Sequence, residues 1–429
     1  MTATLTRGLS PVRAVLDNGA VVLVQETSLT PAVTINATFQ AGGIYEPDDL
    51  PGVAHLVGRV IDRGTTRRTA DRIAEELDDR GVSLHVATTR HLLVLSCTCL
   101  ADDFDDMLSL VLDVARHPTF PEDELAKRRA ETITAIRQDE DNPAVRAVHC
   151  FYEMLYGGRH PYGRPSKGTL QSLDAIGRRA LIEFHRQHVV PPVLSLAIVG
   201  DVGPEHAVNR AAAELDGWIH SVPERVDVPP PFGEGPRRVQ AIDMPGKSQS
   251  DIACGFVTVS RLDPRFYAYW IMNNVLGQFG LGGRLAENIR ERQGMAYYAF
   301  SSFDPSVGPG PLLVRAGVDP LNVERALQAI DHEVALMGAE GPTPHELAES
   351  RDYLIGSIPR MLENNPAIAT FLQTVEQFGL GLDYDQRLPD LLRAVTLEEV
   401  RAAAAETLHT DRAVIAVAGP PVRGVGTIA

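Results

Sequence analysis

The chain has 429 residues, 44% of them apolar and 22% charged, and carries a formal net charge of −16. That length accommodates two or more domains with cores of their own, and the acidic balance argues against nucleic acid as a partner, because phosphate binding needs clustered lysine and arginine. No run reaches the ~18 apolar residues of a membrane span. The opening Met1-Thr2-Ala3-Thr4-Leu5-Thr6-Arg7 also lacks the basic and apolar regions of a signal peptide, so a cytoplasmic protein with no membrane partner is expected.

Residues 12–16 and 21–24 read as strands joined by Asp17-Asn18-Gly19, since Asn-Gly between apolar runs is a strong hairpin signal. A further strand is expected over 32–40. It leads into Ala41-Gly42-Gly43-Ile44-Tyr45-Glu46-Pro47 and then a short helix, on which Val53, Leu56, Val57 and Val60 recur at helical spacing. Gly64 stands where a glycine ends a helix. Residues 67–80 form a second helix, with Ala70, Ile73, Ala74 and Leu77 on one face and Gly81 closing it. Strands are expected near 83–88 and 91–100. Cys97 and Cys99 alternate onto one face of the second, where they pack in a core; they would supply only half of a zinc site, and no matching pair follows. Helices follow over 102–116, from Pro121 to about 139, over 144–156 and over 175–188, and 194–200 reads as a buried strand.

Residues 221–236 break the pattern with four prolines and two glycines between 226 and 236, the composition of a semi-rigid linker. Beyond it the chain repeats itself. Glu124-Leu125-Ala126 returns as Glu346-Leu347-Ala348, and Asn142-Pro143-Ala144 as Asn365-Pro366-Ala367. Leu173-Asp174-Ala175-Ile176 returns as Leu392-Arg393-Ala394-Val395, and Leu196-Ala197-Ile198-Val199-Gly200 as Ile415-Ala416-Val417-Ala418-Gly419. Four matches in one order imply two homologous α+β domains, at 10–220 and 237–425, each a largely antiparallel sheet packed with helices.

The stretch from Ala41 through Gly52-Val53-Ala54-His55-Leu56-Val57-Gly58-Arg59 resembles the inverted-zincin helix of the pitrilysin/insulinase family of zinc peptidases. Two histidines four apart share a helix face and converge on one zinc, and a glutamate between them activates the bound water. Here His55 remains, but Gly58 stands at the glutamate position and Arg59 at that of the second histidine. A glycine offers no base, and an arginine stays protonated and repels a cation. The family's third ligand is a glutamate on the later long helix; aligning on Asn142-Pro143 puts Ala135 there, with Glu131 one turn away. Tyr156-Gly157-Gly158-Arg159-His160-Pro161-Tyr162-Gly163 also resembles a family segment, with His160 expected to be structural.

In the second half, Leu276-Gly277-Gln278-Phe279-Gly280-Leu281-Gly282-Gly283-Arg284-Leu285 and Ile289-Arg290-Glu291-Arg292-Gln293-Gly294-Met295-Ala296-Tyr297 resemble the family's substrate-contacting region. The resemblance assigns Arg290 and Tyr297 to substrate binding: a rigid fork of donors and one further hydrogen bond for a peptide. Spacing alone favours instead a surface arginine and a core tyrosine at a helix end, since Gly294 interrupts the helix between them.

Two other motifs lead nowhere. Ala241 to Ser248 nearly spells a phosphate loop but precedes a strand rather than a helix, and the glycine run lacks a dinucleotide-binding context. The resemblance therefore implies a chain inactive by itself, with no zinc of its own. It would be the substrate-binding subunit of a heterodimeric zinc peptidase whose homologous partner carries the intact H-x-x-E-H and the metal, with peptide held along the partner's sheet edge. The alternative implied by the family is a structural, scaffolding protein.

Overall fold

The computed structural model describes residues 8–224, 226–231, 235–278 and 283–421. The chain forms two compact units, and these cut across the halves of the repeat. The first comprises residues up to Ile136 together with Pro165–Asp227 and Ile358–Arg387; the second comprises Arg137–Arg164, Val228–Ser357 and the chain from Leu388 onward.

In chain order the strands and helices are β1 (Val12–Val15), β2 (Val21–Glu26), β3 (Ala32–Phe39), α1 (Val53–Val60), α2 (Ala70–Asp78), β4 (His85–Thr88), β5 (Leu93–Leu100), α3 (Phe104–Arg116), α4 (Glu122–Glu140), α5 (Pro143–Tyr156), α6 (Leu170–Ala175), α7 (Arg178–His188), β6 (Leu194–Gly200) and α8 (Pro204–Leu215). The helix expected over 175–188 begins only at Arg178, because Ile176 is extended and Gly177 caps α7, and the short α6 precedes it. After the proline-rich stretch come β7 (Arg238–Asp243), β8 (Ser250–Val257), α9 (Phe266–Asn273), β9 (Ala296–Phe303), β10 (Pro311–Val318), α10 (Val323–Glu340), α11 (Pro344–Met361), α12 (Asn365–Phe378), α13 (Tyr384–Ala394), α14 (Leu397–Thr407) and β11 (Val414–Gly419). Two π-helical turns, Asn274–Gln278 and Ala286–Arg292, lie between α9 and β9.

The first unit holds a six-stranded sheet ordered β1-β2-β6-β3-β5-β4. Only β2 and β6 run parallel. Period-two alternation sends Val33, Ile35, Ala37 and Phe39 of β3 and Leu93, Leu95, Cys97 and Cys99 of β5 to one face. There they meet the apolar stripes of α1 and α3 in a single core. Burial pushes the Cys97 thiol up to about 12 and the Cys99 thiol up to about 11, as for packing groups rather than ligands. The other face, with Leu23, Ala197 and Val199, is covered by Ile368, Ala369 and Leu372 of α12. Gln373 of α12 donates to the carbonyls of Asn36 (2.8 Å) and Ser195 (2.9 Å) across β3 and β6.

The second unit repeats this plan. Its sheet is ordered β7-β11-β8-β10-β9, with β7 and β11 parallel. Strand for strand this is β2-β6-β3-β5-β4, and α5 lies on β8 and β11 as α12 lies on β6 and β3. The helix after each Asn-Pro thus covers the sheet built by the other half of the sequence. His160 is structural: its Nε2 meets the Pro229 carbonyl at 2.9 Å, and its Nδ1 accepts from Tyr162 N–H at 3.0 Å.

Candidate functional site

The loop before α1 explains the glutamate in Ala41–Glu46. Glu46 is buried, and its carboxylate accepts from the Ala54 amide at 2.9 Å. It satisfies an orphan donor in the first turn of α1, whose N-cap, Gly52, has φ +97° and brings no side chain. His55 follows. Burial first, then the charges of Arg59 and Lys167, lower its pKa to about 4, so the ring is neutral at neutral pH.

Gly58 is packed shut. A Cβ there would lie 2.3 Å from Thr88 Oγ1, and that hydroxyl donates to the Ala54 carbonyl at 3.3 Å. The end of β4 thus occupies the space that a side chain at position 58 would use. Arg59 is directed the other way, with Nη2 2.8 Å from Glu131 Oε2. Arg128 holds both oxygens of the same carboxylate at 2.8 Å and reaches Glu124 at 3.2 Å. The hydrogen bond from Arg128, and then the attraction of the arginines, lower the Glu131 pKa. Ala135, one turn further along α4, contributes only a methyl group.

The structure therefore brings His55, Arg59 and Glu131 into one neighbourhood, but it assembles an ion-paired chain rather than a cation cage. One neutral imidazole, a glycine, a guanidinium and a methyl group do not fit zinc, which takes four nitrogen, sulfur or oxygen donors. Among the described residues no three His, Cys, Asp or Glu side chains converge as metal ligands would.

The second unit presents a different surface. Arg290 lies on the π-helical turn Ala286–Arg292, where residues adopt a rare geometry often found at functional positions. Its side chain is 43% exposed, and among the described residues its one ion pair is to the adjacent Glu291 at 3.5 Å. The turn is braced from beneath: Asn288 donates to Glu333 at 2.6 Å and accepts from Gln293 at 2.7 Å. Gly294, with φ +61°, then ends it. Tyr297 is not a core tyrosine; it is 83% exposed. The cause is a register shift. Val318 pairs with Ala296 while Gly317 pairs with Tyr298, so Tyr297 is the extra residue of a β-bulge on the edge strand β9. Arg290 and Tyr297 flank a short turn and do not bond to each other.

Of the glycine run 277–283, residues 279–282 lie outside the described residues. The phosphate-loop lookalike is the turn from β7 into β8, and its Lys247 pairs with Asp141 at 2.7 Å.

The family model described as insulinase (peptidase family M16) matches residues 21–157, and that described as peptidase M16 inactive domain matches residues 175–354. The chain belongs to the insulinase family. It is similar to an uncharacterized zinc protease of Streptomyces coelicolor, with 26% identity over 96% of this chain and 90% of that protein. An uncharacterized zinc protease of Bacillus subtilis matches at 23% over 94% of this chain and 96% of the relative. Among solved structures, the peptidase M16 inactive domain from Pseudomonas fluorescens superposes with a TM-score of 0.89 at 27% identity, covering 96% of this chain and 98% of that one. A protease from Helicobacter pylori shares the fold, with a TM-score of 0.88 at 16% identity over 96% of this chain and 100% of that one.

Two residues of this family site escape sequence reasoning. Thr88 carries no motif, and only its contact with Gly58 reveals it. Glu46 is conspicuous in the loop, but its partner is a backbone amide that no sequence pattern names.

Proposed function

We propose that this chain is the non-catalytic, substrate-binding subunit of a heterodimeric zinc peptidase. Its partner is a homologous chain with an intact H-x-x-E-H motif, which holds the zinc and presents a sheet edge to an extended peptide. The observation that carries this reading is the pairing of a closed zinc position with an open one for substrate. Gly58 and Arg59 are committed to packing and ion pairing, whereas Tyr297 projects into solvent from a bulge beside a half-exposed Arg290. A guanidinium fork and a phenol suit the carbonyls or terminal carboxylate of a peptide. The four cysteines are all free thiols, which suits a reducing compartment, and we place the assembly in the cytoplasm. No described helix is long and apolar enough to cross a membrane.

The test is kinetic. In the assembled complex, Arg290→Ala or Tyr297→Phe should lower kcat/KM on a good peptide substrate by about tenfold or more, the worth of one charge-assisted hydrogen bond, without changing zinc content. Unchanged kinetics would remove the role given to this pair. A scaffolding role is the second reading, and the Arg290–Glu291 ion pair favours it to the extent that it occupies the guanidinium.

A further inference from the structure

We propose that Arg315 forms a carboxylate-binding site on the sheet of the second unit. The site gives the substrate surface a preference for peptides bearing an acidic side chain or a free C-terminus. The proposal rests on the substrate-binding reading and adds a second, chemically selective contact to it.

Strand register fixes the site. Arg315 of β10 lies between Phe300 of β9 and Ala253 of β8, and one pair along, Gly317 lies between Tyr298 and Asp251. Directly paired residues share a face, and residues two apart on a strand share it as well. This is the face on which α5 packs, because a Cβ at Gly255 would point at the Phe151 ring of that helix. Helix α5 lies on β8 and β11. Toward β9 the same face stays open: Arg315 and Tyr298 are half-buried, and Phe300 is 36% exposed.

Gly317 makes the arrangement possible. Tyr298 crosses it, so that a Cβ at 317 would lie 2.7 Å from the tyrosine ring and 2.6 Å from Gln249 Nε2. The Tyr298 hydroxyl then donates to the buried Asp251. Gln249 Nε2 donates to the same carboxylate at 3.1 and 3.2 Å. Burial, then the hydrogen bond to Asp251 and its charge, raise the Tyr298 pKa, so the phenol stays protonated and the acid is already served by neutral donors. Arg315 also hydrogen-bonds the Tyr298 hydroxyl and lowers its pKa, against the larger effect of burial, and makes no direct ion pair with Asp251.

The guanidinium of Arg315 instead lies 5.6 Å from the Phe300 ring centre and 5.9 Å from that of Tyr298. Among the described residues no carboxylate stands within ion-pair distance of it. Many other arginines are committed: Arg237 to Asp331, Arg265 to Asp263 and Glu406, Arg284 to Glu346. In a chain of net charge −16, a half-buried arginine held by two aromatic rings and the Tyr298 hydroxyl, with no carboxylate of its own, is unusual. Stacking on rings orients a guanidinium while leaving its in-plane donors available, and those donors match a carboxylate two to two.

The experiment measures binding of fluorescein-labelled peptides of equal length to the full chain at low salt, by anisotropy. One peptide carries an internal glutamate and an amidated end, one has no acid but a free C-terminus, and one is neutral and amidated. The account expects at least one of the two carboxylate-bearing peptides to bind about tenfold tighter than the neutral one, the stronger naming the source of the carboxylate. Arg315→Gln should erase that difference and leave the neutral peptide unchanged, and Arg315→Lys should keep part of it. Equal binding of all three peptides, or a difference that survives Arg315→Gln, would overturn the proposal while the wider substrate reading stands. Arg290→Ala should weaken all three peptides alike; if it weakens none, the substrate reading fails instead. No binding of any peptide would overturn both.

Discussion

The two units share one strand order, yet the equivalent regions beside their edge strands have taken opposite courses. In the first, α1 and β4 are locked together: Thr88 fills the space beside Gly58, Glu46 caps the helix, and Arg59 is drawn off to Glu131. In the second, a π-helical turn before β9 and a bulge on β9 leave Arg290 and Tyr297 exposed. The lesson is that one sheet plan accommodates both a closed helix–strand contact and an open, irregular turn. Around Gly58 and Arg59 the space is taken by a close helix–strand contact and surface ion pairs, while beside β9 a π-helical turn leaves Arg290 and Tyr297 exposed. Regular, well-packed geometry marks the zinc-motif position, and irregular geometry marks the region proposed for substrate.

The contrast can be broken first at Gly58. In an ordinary helix interior, glycine to alanine gains about 1 kcal/mol. Here Gly58→Ala is expected to destabilise the protein by roughly 1–3 kcal/mol, because the new methyl must displace Thr88. Adding Thr88→Ala should return most of the loss. Denaturant melts of the three variants decide it, and a gain from Gly58→Ala alone would show that the position is not sealed.

Acid should separate the units next. His55, His91, His185 and His188, all in the first unit, have pKa values lowered to about 4, chiefly by burial. The unfolded chain binds these protons near pH 6.5 and the folded chain does not. Their contribution is therefore intact above about pH 6.5 and is lost progressively as pH falls toward 4. By pH 5 the loss is expected to be on the order of 1 kcal/mol for each of His55, His91 and His185, and less for the more solvated His188. Hydrogen exchange at pH 7 and pH 5 should show protection lost first in β2–β6 and α7; equal loss in the sheet of the second unit would contradict the assignment.

At the open site, the about tenfold or greater fall in kcat/KM given above for Arg290→Ala should not be accompanied by any change in melting temperature, since among the described residues the side chain has a single exposed ion-pair partner. The smallest effect is expected at Arg59→Ala. The Arg59–Glu131 pair is exposed on both sides, and Arg128 remains to hold the carboxylate, so the melting temperature should barely move. A large loss there would mean that the ion chain carries the structure of the zinc-motif position.

Much of this is legible in the sequence. The spacing of Val53, Leu56, Val57 and Val60 gave a helix because every one of them is buried. The Asp17-Asn18-Gly19 turn gave a hairpin because Gly19 sits at φ +87°. The exchange of α5 and α12 between sheets was not legible, since amphipathic spacing says that a helix must be covered, not by which sheet. Spacing alone puts Tyr297 in a core, because a bulge exists only relative to its partner strand and spacing on one strand is blind to it. The pairing of Arg59 with Glu131 spans 72 positions, and no local signal reports it.

The central claim is that this chain works with a zinc-bearing homologue. The most direct measurement is gentle purification of the tagged full chain from its native host, with mass spectrometry of whatever accompanies it. The account predicts a partner of similar length carrying H-x-x-E-H, near one to one. Recovery as a homodimer, or within an assembly that contains no such motif, would contradict it and turn the reading toward a scaffold.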